Sequence, residues 1–188
     1  MGAVCSSRAP ARAAWLAAAA LVLLAYALAI YSAAMASAPT EDSDEPGYMD
    51  EACWIAEHGG VPGFARACVK GEYPFYQRHP LVNVIASPWA GRSLDRLRPA
   101  RAAKAAASVA ALAMIMAGVW RMAGPAAGVG LAALVAVSNN WFAKGPILTA
   151  EPVVYGPFFL MWAFMAGKLK PRGRWFWAGA MWGLAYMT

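Results

Sequence analysis

The chain has 188 residues, 61% hydrophobic and 14% charged, with a net charge of +6 and a mean hydropathy of +0.44. Soluble domains carry about 45–50% apolar residues, so this composition excludes an ordinary water-soluble fold and predicts an all-α polytopic membrane protein. The basic residues gather at the ends of apolar runs and no nucleic-acid motif occurs, so they read as topology signals and contacts to anionic headgroups.

Residues 1–12 form a short tail carrying Arg8 and Arg12. Met1-Gly2 with Ser6 satisfies the brief myristoylation pattern, with Cys5 beside it for acylation. The apolar run from Ala13 to about Ala36 predicts a first transmembrane helix within residues 13–38, roughly 35 Å long and enough to cross a bilayer. Ala36-Ser37-Ala38 resembles a signal-peptide cleavage site, but the long apolar core and Pro39 favour an uncleaved anchor with its basic end in the cytoplasm.

Residues 39–99 are predicted as a large extracytoplasmic first loop, too long for a mere connector. Nine of the ten acidic residues lie here, between Glu41 and Asp95, with both histidines and two of the three cysteines. Tyr48, Met49, Ala52, Cys53, Ile55 and Ala56 predict a short amphipathic helix over Tyr48 to His58, ended by Gly59-Gly60 and Pro62-Gly63. A second short apolar piece runs from Leu81 to Trp89, and both suit the membrane interface. Cys53 and Cys68 read equally as a bridge or as two free thiols.

Residues 100–188 hold four further apolar runs, giving about five transmembrane helices in all. They span about Ala102 to Trp120, Ala126 to Phe142, Ile147 to Ala166, and from Trp175 onward. Arg98, Arg101 and Lys104 lead into the second span, and Lys168, Lys170, Arg172 and Arg174 form a basic hairpin around Pro171. With the N-terminus inside the plasma (inner) membrane, Arg121 and this hairpin are also inside, and the loop and Glu151 lie outside.

That topology gathers Asp44, Glu45 and Glu151 at one membrane face. A carboxylate held near apolar surface keeps a proton more tightly and makes a stronger general base. The competing reading places Asp44 and Glu45 in a solvated acidic run with Glu41 and Asp42. Glu151, at the edge of an apolar segment, is costly unless paired, functional or in water. His58 and His79 lack metal-ligand spacing, and no Gly-rich phosphate loop or nucleophile elbow is present. The Tyr73–Pro80 segment reads as an interfacial anchor, or as a place where Arg78 and His79 steady a lipid phosphate.

These motifs, in this order, resemble the polyprenyl-phosphate-sugar-dependent glycosyltransferases of the GT-C fold, and in particular the protein O-mannosyltransferase and aminoarabinose (lipid A) transferase group. Asp44, Glu45 and Tyr48 match that group's Asp-Glu-x-x-Tyr at the start of the first outer loop. Tyr76-Gln77-Arg78-His79-Pro80-Leu81 matches its aromatic-basic-Pro-Pro-Leu step with one proline missing. Thr149-Ala150-Glu151-Pro152 matches a later Thr-x-Glu-Pro, and Gly179 to Ala185 matches a Gly-x-x-x-Gly-Leu-Ala stretch.

The resemblance implies inverting transfer of a sugar from a polyprenyl-phosphate donor to a lipid, glycan or protein acceptor hydroxyl, at the extracytoplasmic face of the bilayer. It implies Asp44 as the base, with Glu45 and Glu151 beside it in catalysis, and Tyr48, Glu72, Tyr76, Arg78 and His79 at the substrate. A divalent metal is the one cofactor it allows for, with Glu72 and Glu151 as loose ligand candidates. Family enzymes have more spans, so the chain reads as the N-terminal part of such an enzyme, inactive by itself. The alternative is a non-catalytic membrane subunit or transporter part that uses the loop for docking.

Overall fold

The computed structural model describes residues 8–36, 45–75, 80–91, 93–138, 151–169 and 172–187. Helices dominate, and no strand occurs among the described residues. They are α1 (Arg8–Ala36), α2 (Glu45–Glu57), α3 (Gly60–Lys70), α4 (Pro80–Ala86) with a 3-10 turn (Ser87–Trp89), α5 (Leu94–Ala123), α6 (Pro125–Val137), α7 (Glu151–Met165) and α8 (Arg174–Met187).

Two of these, α1 and α5, are long and apolar enough to cross a membrane. With 30 residues α5 reaches about 45 Å, and it begins well before the apolar run that marks the expected span. Pro99 lies inside α5 without ending it; the ring removes one N–H from the ladder while the helix continues. The other three helices beyond the loop, α6, α7 and α8, have 13, 15 and 14 residues, each shorter than the roughly 20 a perpendicular crossing needs. The end of the expected third span and the start of the fourth fall within residues 139–150, which lie outside the described residues.

The bundle is built around α5, which packs on α1, α6 and α7, while α7 also packs on α8. On α1, Tyr26, Ile30 and Ala34 are buried toward this core, while Leu16, Leu21, Leu24, Leu28 and Tyr31 are exposed. An apolar stripe turned outward at helical spacing is what a lipid-facing surface requires. Inside the bundle, small residues set the crossings. A Cβ at Gly156 of α7 would lie 2.6 Å from Ala111 Cα, and one at Gly118 of α5 would lie 2.8 Å from the Phe159 carbonyl oxygen. Backbones approach this closely only over glycine, the packing device of helices that share an apolar solvent.

These contacts also fix direction. Arg12 and Trp15 near the start of α1 face Trp120 and Arg121 near the end of α5, so the two helices are antiparallel. Residues 111 and 118 of α5 meet 156 and 159 of α7 in the same sense, so α7 runs parallel to α5. The start of α5, the end of α1 and the start of α7 therefore share one end, and α2 to α4 sit on it.

The loop domain follows from local chemistry. Gly59 takes a left-handed φ of 90°, and the chain turns sharply from α2 into α3. A Cβ at Gly63 would fall 1.7 Å from the His58 carbonyl oxygen, so only glycine allows α3 to leave so tightly against the end of α2. The helix α2 ends before Gly59-Gly60 as expected, and the chain then continues into a helix the sequence did not mark, because Pro62 falls in the first turn of α3, where it is tolerated. Ile55, Phe64, Ala67 and Tyr73 then close a small aromatic core, with Phe64 and Tyr73 edge to face at 5.0 Å.

Candidate active site

Glu45 opens α2, where a carboxylate complements the helix dipole, and Pro46 suits the first turn. Glu45, Tyr48, Met49, Ala52 and Ile55 recur at helical spacing and are all buried. Glu45 is 2% exposed, so it belongs to the apolar face of α2 and not to a solvated acidic run.

Its partner comes from α5. Leu97, Arg101, Lys104 and Ser108 stand on successive turns and are all buried. Arg101 grips Glu45 with two charge-assisted hydrogen bonds, Nε to Oε1 at 2.8 Å and Nη2 to Oε2 at 2.5 Å. The sequence places Arg101 and Lys104 as charges flanking a span, whereas the fold buries both at 1% and 0% exposure. Buried ions lose several kcal/mol of solvation each, so a two-pronged geometry is needed to hold them.

A second carboxylate lies deeper. Glu51 is fully buried, and its Oε2 accepts hydrogen bonds from the Tyr73 hydroxyl at 2.9 Å and from Asn83 Nδ2 at 2.5 Å. Tyr73 follows α3 and Asn83 lies within α4, so one carboxylate fastens both sides of the segment between them to α2. Burial, then the hydrogen bond to Glu51, pushes the Tyr73 phenol well above its ordinary value of 10.0. The Asn83 carbonyl oxygen is buried without a hydrogen-bond partner among the described residues. Among the described residues the buried charged side chains of the loop end are two carboxylates, Glu45 and Glu51, and two cations, Arg101 and Lys104. They balance formally, as a low-dielectric site demands.

The remaining expected residues fall as follows. Tyr48 is buried at 7% among Met49, Ala52, Val82 and Leu97, so its ring supports the loop core. Glu72 is exposed, 3.9 Å from Lys70 Nζ. Asp44, Tyr76, Arg78 and His79 lie outside the described residues, as does the side chain of Glu151. The backbone of Glu151 begins α7, five residues before Gly156, at the end of the bundle that carries the loop. His58 stacks on Trp54 at 4.1 Å and its Nδ1 bonds to the Trp54 carbonyl oxygen at 2.8 Å, which accounts for it structurally. Cys53 and Cys68 are not joined in a disulfide. Among the described residues no three His, Cys, Asp or Glu side chains come together to hold a metal, and the side chain of Glu151, one of the two candidate ligands, lies outside them.

Glu51, Tyr73, Asn83, Arg101 and Lys104 are the residues sequence reasoning did not assign to the site. A signal existed for two of them: Leu97, Arg101, Lys104, Ser108 and Leu112 keep helical spacing, so the two cations stand on the stripe that the rest of α5 buries. Comparison of the chain with protein-family models, with curated proteins and with solved structures finds no match.

Proposed function

We propose that the chain belongs to a membrane glycosyltransferase that moves a sugar from a polyprenyl-phosphate donor to an acceptor hydroxyl, with inversion, at the extracytoplasmic face. The observation that carries this reading is the buried ion pair of Glu45 and Arg101, which anchors the start of α2 immediately after Asp44 in sequence. A base must be held at a fixed place relative to the bilayer, and the ion pair ties this point of the loop to α5.

In this reading the acceptor hydroxyl attacks the anomeric carbon while Asp44 takes its proton. The bond to the lipid phosphate breaks on the opposite face, and the phosphate leaves with the electron pair, its charge met by Arg78 and His79. Glu45, engaged by both prongs of Arg101, acts by positioning. Glu151 joins from the start of α7, at the same end of the bundle. The donor approaches through the lipid beside α2 and α4, and the α6, α7 and α8 segments complete about five crossings with the N-terminus in the cytoplasm.

A second reading, a non-catalytic membrane subunit with a docking loop, draws on the same cluster, since the described hydrogen bonds of Glu45 and Glu51 serve internal donors. Asp44→Asn separates the two. In the full-length protein the variant should reach the membrane at wild-type level and lose sugar transfer from a polyprenyl-phosphate donor by at least about 100-fold, the lower bound for removing a positioned base. Transfer at the wild-type rate would remove Asp44 from the chemistry, whereas absence of transfer by the wild type itself would leave the docking reading.

A further inference from the structure

The end of the bundle opposite the loop carries a groove of about 700 Å³ between α1, α5 and the start of α6, within the size range of small-molecule sites. Its walls are Trp15, Leu16, Ala117 and Trp120, and Arg12 and Arg121 stand at its rim. Both arginines are exposed, and neither makes a hydrogen bond or ion pair with another described residue. Among the described residues no carboxylate lines the groove to answer them. All ten acidic residues lie in residues 41–95 or at position 151, whereas this end carries Lys168, Arg172 and Arg174 as well.

We propose that this groove binds the phosphate headgroup of an anionic glycerophospholipid from the leaflet at that end. Two guanidinium forks on facing helices match a phosphodiester, which each can engage through two parallel hydrogen bonds. The tryptophans are half-buried, indole rings favour the headgroup boundary, and the apolar wall would receive the first part of the acyl chains. A free phosphate would use the arginines and leave the apolar wall wet, so a lipid fits the whole groove. The site is separate from the loop cluster and stands whether or not the chain transfers sugar. It holds α1 and α5 together at the end where no loop domain clasps them.

The test uses the purified full chain in mild detergent, with native mass spectrometry against phosphatidylglycerol and phosphatidylcholine at equal concentration. The wild type should retain phosphatidylglycerol at least tenfold more than phosphatidylcholine, and excess inorganic phosphate should not displace it. Arg12→Gln with Arg121→Gln should abolish the preference. Arg12→Lys with Arg121→Lys keeps both charges and a native unfolding temperature, yet should weaken retention several-fold because the forks are gone. Lys168→Gln with Arg172→Gln removes the same charge from the same end and should change nothing. Undiminished retention by the Gln pair, equal loss in the Lys168/Arg172 pair, or displacement by inorganic phosphate would each overturn the proposal.

Discussion

Arg101 of α5 donates both prongs of its guanidinium to the carboxylate of Glu45, joining the first residue of α2 to the central helix of the bundle across 56 positions of sequence. Both side chains are almost wholly out of water, at 1% and 3% exposure. Removing either charge takes from the other the partner of these two hydrogen bonds.

Arg101→Met should therefore destabilise the protein by about 3–5 kcal/mol, the usual cost of breaking a buried pair from one side. Glu45→Gln combined with Arg101→Met removes both charges and should recover a large part of that loss. Reversible unfolding in detergent of these two variants and of Glu45→Gln alone checks this, through the coupling term of the double-mutant cycle.

Glu51 is the knot of the loop. Glu51→Ala leaves the Tyr73 hydroxyl and the Asn83 amide without their acceptor in a buried place, and each orphaned donor costs about 1–3 kcal/mol. Limited proteolysis should then cut between Tyr73 and Asn83, where the wild type resists. Equal resistance in the variant would show that the segment is held by other contacts.

The raised phenol of Tyr73 makes a pH prediction with a definite sign. Because its folded value lies above the unfolded 10.0, the folded state holds the proton longer, and the stabilisation is complete below pH 10. It is lost progressively as pH rises past 10. Wild-type stability should fall more steeply between pH 9 and pH 11 than that of Tyr73→Phe, which has no proton to lose. Parallel unfolding curves for the two proteins would contradict the burial of this hydroxyl.

The crossing of α5 and α7 depends on Gly156, where a side chain would press into Ala111. Gly156→Val should cost about 1–3 kcal/mol through overpacking and should push α7 away from α5. Gly130→Ala, where no atom lies within 4 Å, should be neutral or slightly stabilising. Thermal unfolding midpoints of the two variants make the comparison.

Much of the fold was legible because apolar spacing marks it. The stretch Tyr48 to His58 gives α2, Leu81 to Trp89 gives α4 with its 3-10 turn, and the runs after Ala13 and Ala102 give α1 and α5. The helix α3 was hidden by Gly59-Gly60 and Pro62, which end structure in most contexts and here open a helix. The cluster was harder to see. Arginine and lysine at the edge of a span normally reach outward to headgroups, and only the fold of α2 and α4 over the start of α5 turns Arg101 and Lys104 inward. Glu51, Tyr73 and Asn83 are brought together by tertiary contact across three segments, which no local pattern records.

Sugar transfer at the loop requires one arrangement: the loop domain outside the membrane and the arginine-lined groove inside. The native thiol of Cys68, exposed on α3, reports on it directly once Cys5 and Cys53 are replaced by serine. A membrane-impermeant maleimide applied to intact cells should label Cys68 in full, while Lys168→Cys in a chain lacking Cys68 should label only after the membrane is opened. Labelling of both positions from the same side would contradict the arrangement, and with it the placement of sugar transfer at the loop.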